Sequence, residues 1–253
     1  MPQISVNDLS IHYEESGEGL SVILIHGHPF DATMWLPQLH AAFPGHRLLA
    51  PELRNFGHTT SPNRPADFGV YARDILDFAN SLSLDKFIVV GLSMGGQVAL
   101  ELASTSPERL AGLVLADTFA QLDTPEKKQW RYTLADRLDA EGLQAYAVEV
   151  LPKMLSACSI SENPELASEV LLMMQRCPAQ GAADALRVRA ERRDYVPVLP
   201  RTRPANAHRR RLRGRIYTCC GCRTDAARHS QFVIGRRGRR WTHAEHGKVG
   251  PVQ

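Results

Sequence analysis

Gly91-Leu92-Ser93-Met94-Gly95 reads G-x-S-x-G, with the apolar run Phe87 to Val90 before it and a helical pattern after it. A serine at a sharp strand-to-helix turn is held clear of its own backbone. The positions two before and two after it must then lack side chains. The helix that follows aims its positive N-terminal end at the reacting centre. The chemistry this suits is attack by the Ser93 hydroxyl on a carbonyl carbon. An ordinary turn serine does not require the strand and helix on either side.

A second segment complements the first. His26-Gly27-His28-Pro29 follows another apolar run and reads as an oxyanion loop. There the backbone N–H of His28, with that of Met94 directly after the serine, would face the charge developing on the carbonyl oxygen. His26 reads as a structural residue that bonds the loop together. The His28 side chain lines the pocket or, on the blander reading, faces solvent. A nucleophilic serine further requires a histidine to take its proton and a carboxylate to hold that histidine's tautomer.

The elements that must position these residues alternate in type. Ile4 to Val6 and Leu9 to Tyr13 predict two antiparallel edge strands turned at Asn7-Asp8. Ser21–Ile25, Arg47–Ala50, Lys86–Val90 and Leu113–Ala116 are short continuous apolar runs, as strands buried on both faces are. Helical patterns at Thr33–Ala42, Phe68–Leu82 and Gly95–Ser104 separate them. The class this predicts is α/β, a mainly parallel, doubly wound sheet. From Phe119 the strand signals stop. Helices are predicted from Thr124-Pro125 through Arg137, then over Leu143–Leu155, Pro164–Gln175 and Gly181–Arg193, an insertion placed to form a lid. The expected layout is a core over residues 1–118, a helical lid over 119–200, and the rest of the core over 201–253.

Composition breaks at the last of these boundaries. Residues 201–253 hold thirteen Arg and one Lys against Asp225 and Glu245, a net +12, which leaves −9 for residues 1–200. Asn206–Arg215 stands where the next buried strand is due, yet it carries five arginines, and unpaired buried charges are too costly for such a strand. Only Ser230–Ile234 looks like a strand in this stretch. Such a basic arm could favour phosphates, but it lacks interleaved aromatics, so no nucleic-acid partner is expected. Cys219-Cys220-Gly221-Cys222 with His229 has the residue types of a zinc site in a spacing that matches no zinc module. No metal and no cofactor are expected. Five cysteines suggest no disulfide framework. With no signal-peptide layout and no apolar run of membrane-spanning length, a cytoplasmic protein without a membrane partner is expected.

Three motifs in order, I-L-I-H-G-H-P-F-D-A-T-M-W (Ile23–Trp35), L-L-A-P-E-L-R-N-F-G-H-T-T (Leu48–Thr60) and V-V-G-L-S-M-G-G (Val89–Gly96), strongly resemble the α/β-hydrolase superfamily. The likeness is greatest to its small bacterial esterase, enol-lactonase and non-haem perhydrolase branch and covers about residues 4–200. In the second motif Glu52 and Asn55 stand where the family reads P-D-x-R-G-x-G. The resemblance implies an α/β-hydrolase fold, a serine hydrolase mechanism through Ser93, and a small-molecule ester or lactone as substrate. Phe30, Trp35, Met94 and Phe119 suggest a small, partly apolar acyl group.

It also implies an acid in G-x-x-D-x-x-T-P and a base in G-x-G-H, and neither motif is present. Arg215 falls where the aspartate is due and Arg240 where the histidine is due. His243, three residues along, is the nearest candidate base, with His246 and His229 farther off. Asp117, at the position where the dehalogenase branch places its acid, reads otherwise as a turn or cap residue, and Asp225 has no strand before it. A tail translated partly out of frame accounts for the arginines and cysteines together. Two function classes follow: a serine hydrolase, or a hydrolase-fold protein without turnover. The number of subunits is not legible in the sequence.

Overall fold

The computed structural model of the protein describes residues 2–41, 43–61, 65 and 67–199, together with the backbone of residues 233–236. Strands β1 (Gln3–Val6) and β2 (Leu9–Gly17) pair antiparallel with Val6 opposite Leu9. Asn7 turns the chain between them at φ 51°. Leu9, Ile11 and Tyr13 alternate inward along β2, as a half-buried strand requires.

The middle of the sheet is parallel. It comprises β3 (Leu20–Ile25), β4 (His46–Pro51), β5 (Phe87–Leu92) and β6 (Leu110–Ala116). Among the described residues the strand order is β1-β2-β4-β3-β5-β6-β7, where β7 is Val233–Arg236. Alternate residues of β3 explain its unbroken apolar run. Ile23 and Ile25 join the core on one face, with Val89 and Val98, while Val22 and Leu24 join Trp35 and Leu48 on the other.

Helix α1 (Leu36–Leu39) follows a 3-10 turn at Ala32–Trp35. The helix expected over Thr33–Ala42 is therefore cut to one turn of each kind. The chain must bend through Phe43-Pro44-Gly45, with Gly45 at φ 76°, to enter β4. Helix α2 (Phe68–Ser81) starts at an Asp67 cap that accepts from Val70 N–H at 3.1 Å. It buries Phe68, Tyr71, Ala72, Ile75, Phe78 and Ala79, the stripe of a helix lying on a sheet. Helix α3 (Met94–Thr105) is buried along nearly its whole length.

Between β6 and residue 199 the described chain is helical: α4 (Pro125–Glu141), α5 (Gln144–Met154), α6 (Ala157–Glu162), α7 (Pro164–Gln175) and α8 (Ala179–Ala190). Side chains at the N-caps begin three of these helices, Thr124 for α4, Ser156 for α6 and Asn163 for α7. Helix α6 was not expected, and α8 ends at Ala190 rather than Arg193. Arg192 and Arg193 leave the helix to reach Asp123 and Glu101.

The strand expected at Ser230–Ile234 is described as Val233–Arg236. It runs antiparallel to β6, with Val233 opposite Leu115 and Arg236 opposite Gly112. It therefore enters at the Ala116 end of β6 and heads away from it. No described helix is long and apolar enough to cross a membrane.

Candidate active site

Ser93 links β5 to α3 at φ 50° and ψ −108°. This left-handed backbone is strained for a residue with a side chain, and its neighbours determine it. Ser93 N–H donates to the Ala116 carbonyl at 2.9 Å, continuing the β5–β6 pairing by one residue. The Ser93 carbonyl accepts from Thr118 Oγ1 at 2.6 Å and from Gln97 N–H at 3.3 Å. The flanking glycines are required by space. A Cβ on Gly91 would lie 2.3 Å from the Gly95 carbonyl oxygen, and one on Gly95 would lie 2.3 Å from that of Ile25.

The loop after β3 packs against this turn, with the position of a Gly27 Cβ only 3.6 Å from Ser93 Cβ. Gly27 N–H points to Met34 Sδ at 3.4 Å, so it is turned away from the serine. Met94 N–H, at the first position of α3, has no acceptor within its own helix. His26 bridges two loops: Leu53 N–H donates to its Nε2 at 3.0 Å, which leaves Nδ1–H to donate to the Gly27 carbonyl at 2.9 Å. Its burial lowers the ring pKa.

His28 is buried rather than solvent-facing, and its Nε2–H donates to the Ala182 carbonyl on α8 at 3.0 Å. Burial, then the nearby Arg189 guanidinium, pushes its pKa down to about 3. A ring so hard to protonate is a poor proton acceptor.

Of the apolar residues expected around a pocket, Trp35 and Met94 are fully packed in the core, Phe30 is half-buried and Phe119 is exposed. Asp117 is exposed at φ 43° in the turn after β6. Among the described residues no histidine and no carboxylate is hydrogen-bonded to Ser93. His243, His246, His229, Asp225, Arg215 and Arg240 lie outside the described residues, as do Cys219, Cys220 and Cys222, the cysteines considered with His229 for zinc.

The helical layer is fastened to the core at two places. At one, Arg176 at the end of α7 donates to Asp31 through Nε at 2.8 Å and a terminal nitrogen at 3.0 Å. Burial alone would raise the Asp31 pKa, but Arg176 and Thr33 hold it below the ordinary value. Close by, a Cβ on Gly181 would lie 1.8 Å from the Asn55 carbonyl oxygen, so only glycine fits there. At the other, Arg193 and Tyr195 both bond to Glu101 of α3, at 2.6 and 2.7 Å. Glu52, the departure noted in the second motif, is buried and accepts from His58 N–H at 2.6 Å and Thr59 N–H at 3.2 Å. It organises its turn and does not touch the serine.

The sequence reading missed a cluster of charge behind the site. Asp123 accepts from Arg131 Nε at 2.5 Å and from an Arg192 terminal nitrogen at 2.8 Å, and all three are buried. Burial opposes ionisation of Asp123, yet the two guanidiniums hold its pKa at about 2. A third buried guanidinium, Arg189, donates from Nε to Gln97 Oε1 at 3.2 Å. The available signal was arginine on the inward side of a predicted lid helix, where apolar residues belong.

A family model described as alpha/beta hydrolase fold matches residues 21–206. A thermophilic esterase from Thermogutta terrifontis superposes with a TM-score of 0.76 at 34% identity, over 79% of this chain and 76% of that one. The enol-lactonase of Burkholderia xenovorans LB400 gives a TM-score of 0.72 at 26% identity, over the same shares. A putative non-heme chloroperoxidase of Synechocystis sp. is 31% identical over 122 residues, 46% of this chain and 44% of that protein. The chain spans about half the length of the curated relatives it matches, 44% and 56% for two of them.

Proposed function

Since the chain belongs to the α/β-hydrolase family, we propose that it is a hydrolase that acts on a carboxylic ester or lactone of a small molecule through an acyl-enzyme on Ser93. The observation that carries this reading is the left-handed backbone of Ser93 at the head of α3, with Gly27 of the neighbouring loop against its Cβ.

In the reaction so read, Ser93 Oγ forms a bond to the carbonyl carbon while its proton passes to a base. The displaced electron pair gathers on the carbonyl oxygen, facing the N–H groups of His28 and Met94. Collapse breaks the bond to the alkoxy oxygen, which leaves with the proton. Water then repeats the sequence on the acyl-enzyme and releases the acid. His26 and His28 are committed to structural bonds; the base in this reading is His243, the histidine nearest the position that the resemblance implies.

Assays of p-nitrophenyl acetate and a small lactone with the full chain, Ser93→Ala and His243→Ala test it. The expected result is loss of several orders of magnitude in rate for Ser93→Ala and a comparable loss for His243→Ala. Equal rates for Ser93→Ala and the parent would overturn the reading.

A second reading, a hydrolase-fold protein without turnover, is favoured by one observation: Arg215 and Arg240 stand where the resemblance implies the aspartate and the histidine. A tail read partly out of frame is its proposed origin. A coding sequence with neither G-x-x-D nor G-x-G-H in its other two frames would remove that origin.

A further inference from the structure

We propose that Thr118 is a positioning residue: through the Ser93 carbonyl it aims and polarises the Met94 N–H, the donor read above as facing the carbonyl oxygen of the substrate. The inference rests on the hydrolase reading and adds a residue to its machinery.

One short segment grips the Ser93 backbone at both of its polar groups. The chain reverses at Asp117, with φ 43°, so that Ala116 and Thr118 converge on the same residue. Ser93 N–H donates to the Ala116 carbonyl at 2.9 Å, and Thr118 Oγ1 donates to the Ser93 carbonyl at 2.6 Å. Helix α3 offers that carbonyl a second donor, Gln97 N–H, but at 3.3 Å, which is long for an amide bond. Thr118 is its closer partner. Gly96 leaves the threonine its place, since a Cβ there would lie 2.6 Å from Thr118 Cγ2 and 2.9 Å from Oγ1.

The Ser93 carbonyl and the Met94 N–H belong to one peptide group. That group is planar, and in its trans form the two bonds point in opposite directions. A hydroxyl that fixes the carbonyl therefore fixes the line of the N–H as well. A hydrogen bond accepted at the oxygen also polarises the amide and strengthens what its N–H donates. Met94 is the first residue of α3, so its own helix makes no claim on that N–H. The benefit is realised as negative charge develops on the substrate, so it falls on the transition state more than on binding.

The test compares the full chain with Thr118→Val, which keeps a branched side chain against Gly96 but lacks the hydroxyl, and Thr118→Ser, which keeps the hydroxyl. With p-nitrophenyl acetate, kcat is expected to fall roughly tenfold in Thr118→Val, a part of the ~100-fold or more that losing a donor outright costs. KM should stay within about twofold, as for an interaction made only in the transition state. Thr118→Ser should recover most of kcat. A packing role would do the reverse, sparing the valine variant and harming the serine one.

A second measurement needs no turnover. The melting temperatures of the parent, Thr118→Val, Ser93→Gly and the double variant form a cycle. Losing the hydroxyl lets the strained Ser93 relax, which offsets part of the lost bond, whereas glycine at that position has no strain to release. Thr118→Val is therefore expected to lower the melting temperature more in the Ser93→Gly background than in the parent.

Equal drops in the two backgrounds overturn the proposal, as does a kcat that is unchanged in Thr118→Val or lowest in Thr118→Ser. A parent that cleaves the ester in those cases leaves the hydrolase reading standing. If no ester is cleaved while the drops differ, the hydrolase reading fails and the hold of Thr118 on the Ser93 peptide stands.

Discussion

His28 donates from Nε2 to the carbonyl of Ala182 at 3.0 Å, a bond between residues 154 positions apart that ties the loop after β3 to α8. The bond requires a proton on Nε2, while burial and the nearby Arg189 keep the ring neutral. It also places a titratable group where protonation is resisted.

Acid should therefore loosen the protein through His28. Its folded pKa of about 3 lies below the ordinary histidine value of 6.5, so between these limits the unfolded chain binds the extra proton and the folded one does not. Stability falls as pH drops through that window, by about 1.4 kcal/mol per pH unit for one such group. His28→Gln keeps a donor toward Ala182 but does not titrate. Urea melts between pH 6.5 and 4.5 should show a shallower loss in His28→Gln, and parallel slopes would refute the assignment.

Ser93→Gly should abolish the proposed hydrolysis and yet stabilise the fold. Glycine adopts φ 50° without the steric penalty that serine meets, a relief of about 1 kcal/mol. Calorimetry should find the variant melting roughly 2–4 °C higher. A lower melting temperature would mean that the serine side chain itself supports the turn.

Gly95→Ala should do the opposite. Its methyl group would sit 2.3 Å from the Ile25 carbonyl oxygen and 2.6 Å from that of His26, both in backbone that cannot swing aside. A loss of about 3 kcal/mol, within the range for overpacking a core, is expected in denaturant titration. A loss below about 0.5 kcal/mol would show that α3 can slide away from β3.

Asp123→Asn should destabilise by about 3–5 kcal/mol, because it leaves Arg131 and Arg192 buried without their counter-ion. The sign with pH follows from the depressed carboxyl. Its contribution is present above the ordinary aspartate range and is lost as pH falls toward about 2. Chemical denaturation at pH 7 and at pH 3 should show a smaller gap between parent and variant at the lower pH.

The parts of this architecture legible in the sequence are those governed by local rules. Ile23, Leu24 and Ile25 form an apolar run because both faces of β3 are covered, and periodicity reports that directly. Gly91 and Gly95 betray the turn because no other residue clears the backbone there. The shortened α1 was not legible, since its end depends on how the chain must re-enter the sheet at His46. Nor was the partnership of Asp123 and its neighbour Arg131 with Arg192, which lies 69 positions from Asp123 and leaves no periodic trace. The side chain of His28 was ambiguous for the same reason: its partner is a backbone carbonyl, which any residue at position 182 would supply.

Among the described residues, the contacts that hold Ser93 in its left-handed shape come from the stretch Ile25 to Thr118. The poise of the serine is thus written into one contiguous piece of chain, ahead of the helical cap and of the basic tail. A lineage could rewrite everything after that piece, lose or replace the residues that take up the proton, and still pass on the bent serine intact. The posture of Ser93 and the reactivity proposed for it are separately heritable in this fold.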